Sequence, residues 1–492
     1  MSFDCFAIDI GASNGRVMRG NISEGVISVS ELHRFPNNPV YINRELYWDI
    51  LYIYREIIDS FSRCSKEEFS TLKSIGIDTF GMDFAFLDKE GKMLGNPLSY
   101  RGERGQKGKL LFDHEYNSGL FTFTGIADRH FNTTYQLYYM VKNKETLLDY
   151  AAAILFIPDL LAYFLTGNIF CDKSIASPGQ VISLNKTGWN TDVFSLLGLD
   201  VRILPKLSEP AANRGALSDE IIEASNLPAG TELNFSVHDT AAALEAVPSN
   251  DECYAFISSG TWSLMGIKSP KPVVNEFTKK RLFSNICTLD NDYMILKNIM
   301  GIWILQCCKK DWEKESGTAF TWDELEASSI NVINDSYIDV NNDLFFSDGN
   351  MVDRIKAYCL RTEQKVPDTC NKIVRTVIES LAMNYKETYL ELLQITDNPI
   401  DKLYIVGGGS RHRLLNQITS NLIGAEVISG PAEATVIGSV LLQAIKHNNI
   451  RRNDKAGIIE KSFPIEYFIP QEIPLWELKW QEYKRNTARL TQ

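Results

Sequence analysis

Several signatures that would settle the chemistry of this 492-residue chain at once are missing from it. It has no GxxxxGK[ST] stretch, which removes a Walker-type nucleotide loop, and no GxGxxG follows an apolar strand, which removes the usual dinucleotide fingerprint. Nine cysteines include no CxxC, and the six histidines form no pair at zinc spacing, which argues against a metal–thiolate site. The odd cysteine number and the chain length suit a reducing cytoplasm better than a disulfide scaffold. Positive charge is in deficit, 50 Lys and Arg against 62 Asp and Glu, for a net charge of −12. That balance argues against nucleic acid or an acidic membrane surface as the main partner, and any anionic ligand must be met by local N–H groups or cations. The longest apolar run, Tyr150 to Leu165, is broken by Pro158 and Asp159, is too short to span a bilayer, and reads as a buried helix pair. The N-terminus carries Asp4 and no basic stretch, so it does not read as a signal peptide.

What is present is the composition of a soluble globular protein, 44% hydrophobic and 23% charged, in a chain too long for one ordinary core. Strands are expected at Cys5–Ile10, Arg16–Gly20, Val26–His33, Leu72–Asp78, Phe84–Leu87, Tyr293–Lys297, Leu403–Val406 and Glu426–Ile428. Helical periodicity marks Trp48–Arg63, Tyr135–Lys144, Pro158–Leu165, Met300–Trp312, Cys370–Leu392, Arg413–Ile423 and Ala432–Lys446. Strands alternating with helices give the α/β class. Val247–Glu252 (VPSNDE) is the best domain boundary, which divides the chain into 1–247 and 248–492. Cys5-Phe-Ala-Ile-Asp-Ile-Gly-Ala-Ser-Asn-Gly-Arg-Val-Met18 and Cys253-Tyr-Ala-Phe-Ile-Ser-Ser-Gly-Thr-Trp-Ser-Leu-Met-Gly266 are each a strand, a small-residue turn and a second strand. They read as an internal repeat opening two similarly built halves.

The stretch Phe235–Leu244 carries the most pointed chemistry. An extended run from Leu233 ends at Ser236 and Val237, and Asp239 follows where an Ala-rich helix begins. There a carboxylate caps the helix, faces the positive end of its dipole and is expected to stay ionised. Open α/β sheets place ligands at such carboxyl ends of strands. Three Gly-rich turns also follow strands, Gly11–Gly15, Ser259–Thr261 and Gly407–Gly409. Their exposed N–H groups can form nests for phosphate oxygens. Together these features fit a hinged two-domain phosphotransferase whose paired hairpins hold the phosphates of ATP. Asp9 is then the candidate to orient Mg²⁺ through waters, Thr261 to bind phosphate, Gly408 to let adenosine lie against the backbone, and Asp239 to take the proton of an attacking hydroxyl. Asp83, Arg101, His238, Thr240 and Asn298 are candidate polar contacts to a sugar. A nucleotide-binding module that senses or assembles is the competing reading, and it has no need of a base beside a hydroxyl.

The segments Asp9-Ile-Gly-Ala-Ser-Asn-Gly-Arg16, Gly76-Ile-Asp-Thr-Phe-Gly-Met-Asp83, His238-Asp-Thr240, Ser258-Ser-Gly-Thr-Trp262 and Val406-Gly-Gly-Gly409 resemble, in order, those of the FGGY carbohydrate kinases. The resemblance implies two actin-like ATPase (ribonuclease H-like) domains flanking a deep cleft, and ATP-dependent phosphorylation of a terminal hydroxyl of a deoxyketose, with another ketose or a polyol as the alternative acceptor. It also implies that Ala12, Ser13, Asn14, Gly15, Arg16, Thr261, Gln306 and Gly408 contact ATP, and that Gly81, His238, Asp239, Thr240 and Asn298 contact the sugar, with Asp239 as proton acceptor. The chain departs from common family wording at Ala12 (often Thr), Asn14 (often Ser) and Gly102 (often Asp). A small-molecule enzyme of this kind is expected to act as a monomer or small homo-oligomer.

Overall fold

A computed structural model describes residues 2–64, 71–117, 119–251, 253–347 and 349–488. The chain forms two compact units. The first comprises residues 1–250, 268–295 and 434–462, and the second residues 251–267, 296–433 and 463–492. Segments 268–295 and 434–462, which a single cut after Val247 would assign to the second half, therefore pack with the first unit. Glu252, the last residue of the expected linker, lies outside the described residues.

The first unit is built on a six-stranded sheet of β1 (Phe3–Ile10), β2 (Asn14–Ser23), β3 (Val26–Pro36), β4 (Leu72–Thr79), β5 (Gly215–Ala216) and β6 (Glu232–His238), in the order β5-β6-β4-β1-β2-β3. β6, β4 and β1 are parallel neighbours, while β2 and β3 continue as an antiparallel meander. Every residue of β1 is buried, as a central strand covered on both faces requires. On one face lies the apolar helix Ala434–Lys446, close enough that a Cβ on Gly20 would fall 2.2 Å from Val440. Gln443 ties the two layers, accepting from Ser74 Oγ at 2.7 Å and donating to the Phe6 carbonyl at 3.0 Å. Elsewhere in the unit Ile8, Val17, Trp48, Ile53, Ile57 and Leu160 join one continuous core. Each such aliphatic or aromatic side chain, fully buried, contributes roughly 1.5–3 kcal/mol.

The reading of Tyr150–Leu165 as a helix pair is corrected here. Leu147–Tyr150 is a single helical turn, Ala153–Phe156 is a strand paired antiparallel with Phe84–Leu87, and only Ile157–Thr166 is a longer helix. Four apolar residues have no period of their own, and the strand they meet in space decides their conformation.

The second unit contains β7 (Ala255–Ser259), most of β8 (Trp262–Ser269), the later part of β9 (Tyr293–Met300), β10 (Lys402–Val406), β11 (Glu426–Ser429) and β12 (Glu466–Phe468), in the order β9-β8-β7-β10-β11-β12. β7 and β8 form an antiparallel hairpin, and β7, β10 and β11 are parallel. Both expected repeat segments are thus hairpins whose first strand has a parallel neighbour on its other side. The helices Cys370–Leu392 and Arg413–Ile423 have the bounds expected from periodicity, whereas the helix expected from Met300 begins at Trp303. All nine cysteines are free. Among the described residues, no helix is long and apolar enough to cross a membrane.

Candidate active site

The parallel pairing of the first unit sets Asp9 beside Asp78, Val237 beside Asp78, and His238 beside Thr79. Asp9, Asp78 and Asp239 therefore gather at the carboxyl ends of β1, β4 and β6, the edge where open α/β sheets bind ligands. Asp9 accepts a hydrogen bond from Arg16 Nη2 across the β1–β2 hairpin, so one cation is built in beside the acids.

Asp78 was not singled out in the sequence, and its environment is the most unusual of the three. It is fully buried, and neither carboxyl oxygen receives an N–H or O–H donor. Burial pushes its pKa well above the ordinary carboxylate range, and the nearby charges of Asp9 and Asp239 add to the push. Its hydrogen-bonding carboxyl neighbour is Asp9, itself an acceptor when ionised. A proton held on Asp78 removes that repulsion. The signal in the sequence was an acid inside the apolar run Ser74-Ile-Gly-Ile-Asp78, but only the pairing with β1 gives it a neighbour.

Asp239 departs from expectation in two ways. His238 is the N-cap residue of the helix Asp239–Glu245, so Asp239 is the first helical residue and not the cap. Its Oδ1 accepts from the Thr240 N–H at 2.5 Å and the Thr240 hydroxyl at 3.1 Å. Burial and the Asp9 charge outweigh these bonds and the adjacent His238, and the pKa is pushed up, not down. The carboxylate is still accessible, with 32% of its side-chain surface open. His238 Nε2 lies 3.5 Å from Asp239 Oδ1. Burial lowers the imidazole pKa, which keeps the ring neutral and makes this a dipole–charge contact, not an ion pair. Its Nδ1 is buried without a partner. A Cβ on Gly81 would stand 3.2 Å from the ring, so glycine is what leaves that side of His238 uncrowded.

The turn after β1 is shorter than expected, because Asn14 already belongs to β2. It is pinned by Asn37, whose Nδ2 donates to the Gly11 carbonyl at 2.8 Å and whose N–H donates to the Ser13 carbonyl at 3.1 Å. Ser13 and Asn14 are exposed at its tip, and Ala12 is half-buried. Gly15 has no room for a side chain, since a Cβ would meet the Phe35 ring at 2.3 Å. Asp83 does not serve as an open polar contact. It is buried and already accepts from Trp48 Nε1 at 2.6 Å, the Tyr100 N–H at 2.9 Å and Gln136 Nε2 at 3.2 Å, and burial pushes its pKa up to about 6. Arg101 is exposed, with its guanidinium over the rings of Tyr100 and Trp48 at 5.8 and 6.0 Å.

In the second unit the turn after β7 meets two other elements. Gly260 and Thr261 carbonyls accept from the N–H groups of Ile302 (3.2 Å) and Trp303 (3.4 Å) at the start of the helix that carries Gln306. From the parallel strand β10, Gly407 and Gly409 press on Ser259, where Cβ atoms would stand 2.7 Å from its carbonyl and 1.9 Å from its hydroxyl. Thr261, Gln306 and the exposed Gly408 are therefore brought together. Above Gly408 no heavy atom comes within 4 Å of an added Cβ, which leaves the backbone open there. Asn298 lies in β9, half-buried, three residues before the Gly301 that packs under Gly260 and Thr261.

Sequence comparison agrees with this architecture. The N-terminal-domain model of the FGGY family of carbohydrate kinases matches residues 5–245, and its C-terminal-domain model matches residues 255–447. A rhamnulokinase of Bacteroides thetaiotaomicron is 35% identical over 488 residues, covering 98% of this chain and 99% of that protein. One from Bacillus subtilis is 31% identical, covering 95% of each. Among solved structures, the xylulose kinase of Rhodospirillum rubrum superposes with a TM-score of 0.79 at 14% identity, covering 100% of this chain and 99% of that one, and carries the expected two-domain actin-like fold. Matched in both halves and along its length, the chain belongs to the FGGY family of carbohydrate kinases and is a phosphotransferase with an alcohol group as acceptor.

Proposed function

We propose that the chain is a rhamnulokinase, transferring the terminal phosphoryl group of ATP to the terminal hydroxyl of L-rhamnulose to give L-rhamnulose 1-phosphate. The substrate is taken from the full-length similarity to curated rhamnulokinases. The observation that carries the chemistry is Asp239, a partly open carboxylate at a sheet's ligand-binding edge whose pKa is raised above the ordinary range. A raised pKa makes it a stronger base while leaving it ionised above that value, which is what removing the proton of an attacking hydroxyl asks for. Phosphoryl transfer otherwise depends on positioning and on neutralising charge.

The remaining roles follow the chemistry of each group. The neutral imidazole of His238, the Thr240 hydroxyl, the Asn298 amide and the uncrowded backbone at Gly81 supply sugar contacts. Ala12, Ser13, Asn14, Gly15 and Arg16 face the phosphates, while Thr261, Gln306 and the open backbone at Gly408 receive the nucleotide. Among the described residues, no three His, Cys, Asp or Glu side chains are placed to hold a metal. Mg²⁺ fits instead as an ion that keeps most of its waters. With Asp78 holding its proton, the nearby carboxylates of Asp9 and Asp239 leave negative charge that Arg16, bonded to Asp9, does not balance alone. Asp9 would orient the hydrated ion, which neutralises phosphate charge. We place the enzyme in the cytoplasm, as a monomer or small homo-oligomer, consistent with its nine free cysteines.

The test is sugar-dependent ADP release with L-rhamnulose, L-fuculose, D-xylulose and glycerol. L-rhamnulose is expected to have the highest kcat/KM, by about 10-fold or more over the others, the scale on which a few hydroxyl contacts discriminate. A higher value for L-fuculose or another acceptor would reassign the substrate. No stimulation by any sugar would favour the nucleotide-module reading.

A further inference from the structure

The strand that delivers Asp239 has an incomplete neighbour. β5 pairs with β6 only at Glu232 and Leu233, so among the described residues the outer edge of β6 from Asn234 to His238 has no strand beside it. Its backbone groups there are met by buried side chains. The Arg214 Nη2 donates to the Ser236 carbonyl at 3.3 Å, and the His238 N–H donates to Ser174 Oγ at 3.3 Å. Arg214 also anchors the start of the same edge, its backbone N–H donating to the Leu233 carbonyl at 2.9 Å.

These contacts belong to one ionic network. Arg214 Nη2 lies 3.1 Å from Asp159 Oδ1 and 3.2 Å from Asp172 Oδ2, with side-chain exposures of 3%, 0% and 0%. Asp159 Oδ1 accepts the Ser236 hydroxyl at 2.7 Å. Asp172 Oδ1 accepts both the hydroxyl of Ser174, at 2.7 Å, and its N–H, at 2.8 Å, which fixes the oxygen that receives the His238 N–H. Burial pushes both carboxyls up, Asp172 to about 6, and the Arg214 charge is the main force in the other direction. A buried guanidinium and two carboxylates are costly to desolvate, and apolar packing would fill the same space more cheaply. What apolar packing cannot supply is a directional donor and acceptor on alternate residues of a strand edge.

We propose that Arg214 and Ser174, joined through Asp172, are positioning residues that replace the missing neighbour strand and set the backbone of His238, and with it the Asp239 carboxylate, against the sugar hydroxyl. This rests on Asp239 being the base. Small displacements of a reacting group cost rate, while nucleotide binding by other segments is untouched.

The test compares Ser174→Ala and Arg214→Lys with wild type, measuring kcat, KM for ATP and the thermal midpoint. Ser174→Ala removes only the hydroxyl link. Arg214→Lys keeps the charge but shortens the side chain and loses the Nη2 that reaches Asp159, Asp172 and Ser236 together. We expect kcat to fall about 10-fold or more in each, with KM for ATP within twofold of wild type. Ser225→Ala removes a buried Ser hydroxyl bonded to the Ile221 carbonyl elsewhere in the unit, and should lower the midpoint while leaving kcat unchanged. Wild-type kcat in Ser174→Ala, or a lowered midpoint with no change in kcat, would overturn the proposal. Asp239→Asn is assayed alongside. Retained turnover there would remove the base assignment and this proposal together, whereas loss there with wild-type kcat in Ser174→Ala and Arg214→Lys would remove this proposal alone. If Ser174→Ala does not fold, Arg214→Lys decides by the same criteria.

Discussion

The two hairpins that open the halves of the chain share a plan and differ in charge. In the first, Asp9 pairs with Arg16 across the strands and Asp78 sits beside it on β4. In the second, the corresponding pair counted from the turn is Ser258 with Leu264, and the hydroxyls of Ser259, Ser263 and Tyr385 lie near the turn. The second turn is instead crowded by glycines, with Gly301, Gly407 and Gly409 approaching where no side chain fits. One duplicated hairpin thus presents titratable groups and the other presents neutral backbone. In the proposed function this difference would set the acid of the first hairpin, Asp9, toward the cation and leave the second to the nucleotide through backbone.

This division can be broken from either side. Asp239→Asn should have the largest effect, a fall in sugar-dependent ADP release of about 10²–10⁴-fold, the range for loss of a general base. Nucleotide binding, followed by calorimetry, should be nearly unchanged. Asp9→Asn should weaken the response to Mg²⁺ or Mn²⁺ by about 10–100-fold, read from activation curves at fixed ATP, as expected when a group that orients a metal's waters is lost. An unchanged activation curve would remove Asp9 from the cation. On the glycine side, Gly409→Ala would drive a Cβ to 1.9 Å from Ser259 Oγ. Such overpacking costs about 1–3 kcal/mol in urea unfolding. The smallest stability change belongs to its neighbour. Gly408→Ala meets nothing within 4 Å, so stability should move by less than about 0.5 kcal/mol while KM for ATP rises. Equal behaviour of the two variants would mean that Gly408 does not face the nucleotide.

Much of the scaffold could be read from residue order where a long period was present. Cys370–Leu392 and Arg413–Ile423 have apolar stripes sustained over several turns, and local pattern and tertiary packing agree. Pattern failed where a distant partner decides. Ala153–Phe156 is a strand because Phe84–Leu87 lies beside it. Periodicity marks a helix over Ala432–Lys446, observed as Ala434–Lys446, but nothing local says that it packs on β1 and β4 of the first unit. The same limit applies to the site. Asp9 and Asp239 stand out at the ends of apolar runs, the first before a small-residue turn and the second where an Ala-rich helix starts. Asp78 gains its meaning only from the pairing of parallel strands, and Asp83 loses its apparent availability only once Trp48, Tyr100 and Gln136 are seen to occupy it. The upward pKa of Asp239 was hidden for the same reason. A helix start alone lowers a carboxylate's pKa, and it is Asp9 and the surrounding protein that reverse the sign.

That reversal offers the most direct test of Asp239 as the base. The rate depends on the ionised carboxylate, so kcat with saturating L-rhamnulose and ATP should fall as pH drops through its folded-state pKa. The midpoint of that acid limb should lie above the ordinary aspartate value of about 3.9. In Asp239→Asn the residual rate should lose this limb altogether. An acid limb that persists unchanged in Asp239→Asn would show that another group takes the proton.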